Sequence, residues 1–485
     1  MSGDYRKISS AAGWSTLAEI CARLTAPLAA LLLARVLTPA DFGAMAAVTL
    51  VVSFADMMSE CGFQKYLVQR RFRSDAELRR YADTAIWTSV GIALAGWLLI
   101  ALFASPLARL AGTPDAARMM AAAGIALPLS AVSGTQSALL KRWMRFKALF
   151  RMRVAAACVP LAVTVPLAII FRSWTALLFG LLATNALNAF LASRMSYFRP
   201  APRISRNALK DMAPFSLWSM AEALLVWLTT YLDILVVGMT LDSRHLGLYR
   251  TASLTVAQII GVVTAAVTPV LFSALSRRQH DPAAFRDLLL RFQRKTALLL
   301  VPLCFGIFIF SDTATSLLLG DQWSEISDFI GLWALTAAPV TLISHFAAET
   351  YRASGKPRRA MLSQTLHLIA VLPAVTIAIG FGFDVLCQTR AAIRLEGVAV
   401  NLTLLQLFYS CRAKELLANL FPAFCGGAAM TAVLLFPKPQ TAGATIALIM
   451  LSLALYAATL ALWRSQRKEF TELLSFIPSS RRVTQ

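Results

Sequence analysis

Apolar stretches of about twenty residues recur along nearly the whole chain, and that is the length an α-helix needs to cross a hydrocarbon layer of ~30 Å. The stretches are continuous and do not alternate in polarity, so they predict helices and not the strands of a barrel. Composition agrees: 58% of the 485 residues are hydrophobic and only 15% are charged, against about 25% charged in soluble domains. The expected fold class is an all-α polytopic membrane protein of about fourteen transmembrane helices.

The expected spans are 12–37, 43–63, 83–104, 118–140, 153–171, 174–197, 212–238, 248–275, 296–312, 326–347, 360–381, 395–411, 418–436 and 441–463. Short connections rich in Pro and Gly separate them, such as Leu37-Thr38-Pro39 and Gly112-Thr113-Pro114. None is long enough for a folded extramembrane domain. The apolar run from Gly13 is too long for a cleavable signal sequence and is expected to be the first span.

Net charge is +21, which in a soluble chain would suggest nucleic acid. Its distribution points elsewhere. With the N-terminus placed in the cytoplasm, the inner segments carry 36 of the 46 Lys and Arg, the outer connections 9, and Arg23 lies mid-span. Basic residues accumulate on the cytoplasmic side of membrane proteins, so both termini are expected there. Basic clusters such as Lys141-Arg142-Trp143-Met144-Arg145-Phe146-Lys147 then mark topology. They also attract anionic headgroups of membrane lipids, and nucleic acid is not expected as a partner.

A faint repeat divides the chain. Leu37-Thr38-Pro39-Ala40-Asp41-Phe42-Gly43 matches Leu241-Asp242-Ser243-Arg244-His245-Leu246-Gly247 in its first and last residues, at an offset of 204. Arg70-Arg71 with Asp75 has a counterpart in Arg277-Arg278 with Asp281. Both halves begin on the same side, as in transporters that hold cargo between parallel repeats. The expected organisation is a six-helix lobe over 1–205, a second over 206–411, and two additional helices with a cytoplasmic tail over 412–485.

Several short runs are familiar. Leu33-Ala34-Arg35-Val36-Leu37-Thr38-Pro39-Ala40-Asp41-Phe42-Gly43, Cys61-Gly62-Phe63, and Leu232-Asp233-Ile234-Leu235-Val236-Val237-Gly238 resemble bacterial oligosaccharide flippases of the polysaccharide-transporter family. That family belongs to the superfamily of the MATE-type multidrug exporters and lipid II flippases. Gly355-Lys356-Pro357-Arg358 fits its inner loop before the eleventh span. The resemblance implies two lobes around a cavity and alternating access. It also implies a polyprenyl-diphosphate-linked oligosaccharide as cargo, for exopolysaccharide, capsule or O-antigen assembly. Many relatives carry an Arg just before the Leu-Asp of the seventh span, whereas this chain has Thr229, Thr230 and Tyr231.

Ionisable groups inside spans cost several kcal/mol when they meet lipid, so they face protein or a watery cavity. Glu19 and Arg23 share a face of the first span. Arg23 is a candidate for a cargo diphosphate, by resemblance to the first-helix arginines of lipid II flippases, or else it pairs with Glu19 or Asp56. Asp56 and Glu60 share a face of the second span and are candidates for binding a coupling H+ or Na+, or else pair with nearby bases. Glu222, mid-way along the seventh span, is a candidate cavity residue. Asp233 could latch to Arg250 at the start of the eighth. His345, Glu349 and His367 read as helix-end groups, and Arg35, Arg172 and Arg394 as outer-end residues that snorkel.

None of the seven cysteines forms a CxxC pair or a metal-ligand spacing, so no metal or cofactor is expected. There is no Walker loop, no Ser/His/Asp arrangement and no large outer loop to house an active site; the longest, around 382–394, is too small. An enzyme is therefore not expected. The leading expectation is a flippase for lipid-linked oligosaccharide, associated with polysaccharide polymerase machinery. The alternatives are a MATE-like small-molecule exporter and a non-transporting membrane scaffold of the glycan assembly machinery.

Overall fold

The protein is described by a computed structural model covering residues 25–463 except 26, 61, 280, 410 and 438–440. Among these residues there is no strand, and thirteen helices are long and apolar enough to cross a membrane. A shorter apolar helix, α1 (Pro27–Val36), is the described part of the first expected span. The others are α2 (Pro39–Glu60), α3 (Asp75–Leu102), α4 (Pro114–Arg142), α5 (Phe146–Phe171), α6 (Thr175–Ser196) and α7 (Arg206–Thr240). They continue through α8 (Ser243–Arg277), α9 (Pro282–Ile309), α10 (Asp321–Ala353), α11 (Arg358–Phe381), α12 (Phe383–Tyr409), α13 (Ala413–Leu435) and α14 (Ala442–Ala461). The chain is thus an all-α, multi-pass membrane protein.

Local sequence sets the helix starts. Ser74 accepts the Glu77 N–H (3.2 Å) while Glu77 accepts the Arg73 N–H (2.6 Å), a reciprocal cap for α3. Ser205 caps α7, Thr441 caps α14, and Asp281 caps α9 with Pro282 in its first turn. The α12 start departs from the sequence reading. The stretch 382–394, expected as the longest outer connection, forms the first turns of α12, which begins at Phe383. Arg390 and Arg394 lower the hydropathy there, yet both lie within the helix, and Arg390 is buried. Arg394 therefore does not snorkel from an outer end; its guanidinium stacks on Trp333, 4.0 Å from the ring centroid.

Packing divides the described residues into two compact units. Unit 1 runs to Ala265 and takes in 375–383; unit 2 comprises 266–374 and the residues from Asp384 onward. The unit 1 core is rich in small side chains: Ala93, Ala108, Ala116, Ala123, Ala126 and Ala131 are all buried, among larger ones such as Met120 and Leu127. Small residues let membrane helices approach closely.

The closest approach falls on the repeat. An added Cβ at Gly43 would lie 1.6 Å from the Ser243 carbonyl oxygen, and one at Gly247 would lie 1.8 Å from that of Pro39. Each glycine of the repeat thus receives the backbone at the start of the other copy's helix, a reciprocal contact about a local two-fold. The capping chemistry is matched as well. The Asp41 N–H donates to Thr38 Oγ1 (3.3 Å), and the His245 N–H, at the position equivalent to Asp41, donates to Asp242 Oδ1 (2.9 Å), at the position equivalent to Thr38. In unit 2 the last two helices dock on α9: Gly427 of α13 lies against the Phe305 ring, and the Tyr456 hydroxyl of α14 donates to the Ala297 carbonyl at 3.5 Å.

Candidate functional site

In unit 1, α7 carries a graded series of polar contacts. Near its start, Asp211 accepts the Tyr81 hydroxyl and pairs with Arg70 at 3.6 Å. Arg70 also pairs with Glu77 at 3.5 Å, and its guanidinium lies 4.5 Å from the Tyr81 ring centroid and 5.5 Å from that of Tyr66.

Glu222 comes 16 residues into the 35-residue α7, about 24 Å along it. Its Oε2 pairs with Lys65 Nζ at 3.3 Å, with the two side chains 39% and 48% exposed. Lys65 sits on a short helix, Phe63–Gln69, that follows α2. The Glu60 carboxylate lies near Asp56, Lys65 and Lys141, and the Ser130 side chain lies near the Asp56 carboxylate. The like pair on α2 thus has a hydroxyl of α4 and two lysines in its neighbourhood.

One turn further along α7, Trp227 donates its Nε1–H to Ser53 Oγ at 3.0 Å. Its ring meets Phe54 edge-on at 5.0 Å and stacks on Tyr231 at 5.3 Å. Arg250 lies 5.5 Å from the Tyr231 ring centroid. Asp233 is buried and accepts the Tyr249 hydroxyl at 2.7 Å and the Ile234 N–H at 2.9 Å. The expected Asp233–Arg250 latch thus places its two members on adjacent contacts: the carboxylate on Tyr249, the guanidinium over Tyr231. Arg23 and Glu19 lie outside the described residues.

Unit 2 holds a second polar cluster. His367 Nδ1 and Glu396 Oε2 meet at 2.8 Å between α11 and α12. Arg390 and Arg394 approach the Trp333 ring at 5.3 and 4.0 Å. His345 Nε2 bonds Thr268 Oγ1 at 3.0 Å within a π-helical stretch, Val340–His345. Such stretches interrupt α-helices frequently at functional positions. His367 is therefore not a solvated helix end but one member of a side-chain pair. Glu349 is buried, and its carboxylate accepts from Arg352 at 2.6 Å.

Two groups escaped the sequence reading. Lys65 counted only as a basic residue of an inner connection; its position five residues after Glu60 was the available signal. Glu396 stands one residue inside the span that hydropathy begins at 395, where a charge ordinarily faces water. Among the described residues, no group of His, Cys, Asp and Glu is disposed to hold a metal ion.

Long apolar helices with ion pairs part-way along their spans define a polytopic membrane protein. Residues 32–328 match the family model described as "Polysaccharide biosynthesis protein", and the chain belongs to that family. It is 28% identical over 341 residues to the "Succinoglycan biosynthesis transport protein ExoT" of Rhizobium meliloti (strain 1021), covering 69% of this chain and 67% of that one. It is 22% identical over 322 residues to the "Lipopolysaccharide biosynthesis protein WzxC" of Escherichia coli (strain K12), covering 66% and 65%. The chain thus spans about two thirds of the length of these relatives. The fold is shared with "Lipid II flippase MurJ, inward closed conformation", at a TM-score of 0.74 and 14% identity, over 93% of this chain and 98% of that one.

Proposed function

We propose that this chain moves a lipid-linked oligosaccharide, its glycan joined to a polyprenyl carrier through a diphosphate, across the bacterial inner membrane for exopolysaccharide, capsule or O-antigen assembly. The observation that carries the reading is the half-exposed Lys65–Glu222 pair, part-way along α7. A charged pair at that depth that is still half-exposed faces a water-filled cavity and not lipid, which is where a polar headgroup would sit. Glu222 holds Lys65 as a neutral pair when no cargo is present, and a phosphate of the cargo displaces Glu222 from it. The Phe54, Trp227 and Tyr231 rings offer flat apolar faces to sugar rings. The polyprenyl tail needs no polar site and stays in lipid. No step in this scheme breaks or forms a covalent bond.

The family and the printed names of its relatives support the cargo class. The same proposal retains Arg23 and Glu19 as cargo contacts and Asp233 with Arg250 as a latch. Asp56 and Glu60 are the candidates for a coupling H+ or Na+, since two like charges on one face bind a cation most readily. The repeat supports 1–205 and 206–411 as the moving lobes with 412–485 appended, and the excess of Lys and Arg supports cytoplasmic termini. Association with polysaccharide polymerase machinery belongs to the proposal as well.

The test is a strain lacking this gene and complemented with wild type, Lys65→Ala, Lys65→Arg or Arg23→Ala, with surface polysaccharide quantified. Loss of polysaccharide on deletion, no rescue by Lys65→Ala and partial rescue by Lys65→Arg are expected. Normal polysaccharide in the deletion strain sinks the flippase reading. Full rescue by Lys65→Ala or by Arg23→Ala sinks the assignment of that residue to cargo.

A further inference from the structure

Away from the Lys65–Glu222 site, unit 1 carries a groove where α3 begins and α6 ends, bridged by the connection 197–205. Polar atoms on α3 and α4 pin that connection. The Ala201 N–H donates to Asp83 Oδ1 at 2.9 Å, and the Ala201 carbonyl accepts from Trp87 Nε1 at 2.7 Å. The Ser205 N–H donates to Thr84 Oγ1 at 3.0 Å, and the Phe198 carbonyl accepts from Gln136 Nε2 at 3.3 Å. Asp83, Thr84 and Gln136 are buried, so the connection is a fixed strap.

Two cavities meet at Phe198 and Arg199 on this strap. The larger, of about 940 Å³, is lined by Arg79, Arg80, Arg199 and Arg203. Its two acids are engaged elsewhere: Glu77 with Arg70 and the Arg73 N–H, Asp83 with the Ala201 N–H. The smaller, of about 720 Å³, has an apolar wall of Ile86, Trp87, Val90, Val132 and Phe190, with Arg194 and Arg199 as its charged members. Along α3 the apolar surface continues through Leu94 and Leu98, which are 45% and 69% exposed.

The geometry points to a binding site for an acidic glycerophospholipid, its phosphate among Arg79, Arg80, Arg199 and Arg203 and one acyl chain along Ile86, Val90 and Phe190. Guanidinium groups match phosphate with paired donors, and basic pockets between membrane helices hold acidic headgroups. A membrane phospholipid fits better than the cargo lipid. None of the residues lining the two cavities belongs to α2 or α7, and the apolar wall leads onto exposed α3 surface that a bilayer covers. Ser205 both caps α7 and bonds Thr84 on α3, so the seated lipid braces the strap from which α7 starts.

The purified full chain in detergent, examined by native mass spectrometry against phosphatidylglycerol, phosphatidylethanolamine and a polyprenyl diphosphate, tests this. Phosphatidylglycerol is expected to bind in preference to phosphatidylethanolamine. Arg199→Ala with Arg203→Ala should weaken it about 30-fold, roughly 2 kcal/mol for two arginines. Arg199→Lys with Arg203→Lys should weaken it less than the alanine pair, because the charge is kept while the paired donors are lost, and Arg109→Ala with Arg118→Ala should leave it unchanged. Equal binding of the two phospholipids overturns the proposal, as does equal loss in both alanine pairs. Preferential binding of polyprenyl diphosphate that Arg199→Ala/Arg203→Ala abolishes overturns it too, because the groove would then belong to cargo. The proposed flippase function stands or falls separately, on surface polysaccharide.

Discussion

Gly43→Ala probes the reciprocal contact between the repeats. The new Cβ would sit 1.6 Å from the Ser243 carbonyl oxygen and 3.0 Å from the Gly247 nitrogen. Comfortable non-bonded separation is about 3.5 Å, so the two backbones must part by about 2 Å. Neither is the end of a flexible side chain. The α8 start carries Leu246, Leu248 and Tyr249, all buried, and their packing moves with it. Overpacking of this kind costs about 1–3 kcal/mol, occasionally more, and the upper part of that range applies because backbone meets backbone. Alanine gains about 1 kcal/mol over glycine in helix propensity, leaving a net loss of about 2 kcal/mol. Gly443 in α14 supplies the control, since a Cβ there meets nothing within 4 Å. Thermal melts of the purified full chain, followed by tryptophan fluorescence, should place Gly43→Ala clearly below wild type and Gly443→Ala at or above it. Gly247→Ala should resemble Gly43→Ala, its Cβ being 1.8 Å from the Pro39 carbonyl oxygen. If Gly43→Ala melts with Gly443→Ala, the close approach is absent from the native protein and the reasoning fails.

Asp242→Ala removes the cap of α8 and should cost about 1 kcal/mol at neutral pH, with Asp242→Asn recovering most of it. Burial alone would lift the Asp242 carboxyl, but the His245 N–H and ring together with Arg244 outweigh it and hold the group below the usual carboxylate range. A depressed carboxyl stabilises above its unfolded pKa of about 3.9, and that contribution fades as pH falls through the lower folded value. Melts from pH 7 down to pH 3 should show the wild type and Asp242→Ala converging only at the acid end. Glu396→Leu removes the carboxylate facing His367; the two side chains are 27% and 22% exposed, so the loss is that of one part-buried hydrogen bond to a charged group, about 1–2 kcal/mol, and a thermal melt indistinguishable from wild type would show that the pair is not formed. Cys411, between α12 and α13, is 1% exposed, and burial pushes its thiol up to about 11. Maleimide at pH 8 should leave it unlabelled in the folded chain and modify it after denaturation, as read by peptide mass.

The sequence by itself determined the class of fold. Runs of apolar residues long enough to cross a bilayer, with no alternation, admit only helices, because backbone polar groups in lipid must be satisfied within the segment. Leu37–Gly43 and Leu241–Gly247 also disclosed the repeat. What those glycines do was decided by tertiary structure: they face each other, and the space each leaves is filled by the other's backbone. The candidate site was only half legible for a related reason. Asp56, Glu60 and Glu222 stood out because hydropathy marks a charge inside an apolar run. Lys65 and Glu396 did not, because each lies at the edge of such a run, where a charge normally faces water. Arg390 and Arg394 misplaced the start of α12, since a one-dimensional profile counts their cost in lipid but not the Trp333 ring that receives them. Partners distant in the chain pay for buried charge, and only the folded chain brings them together.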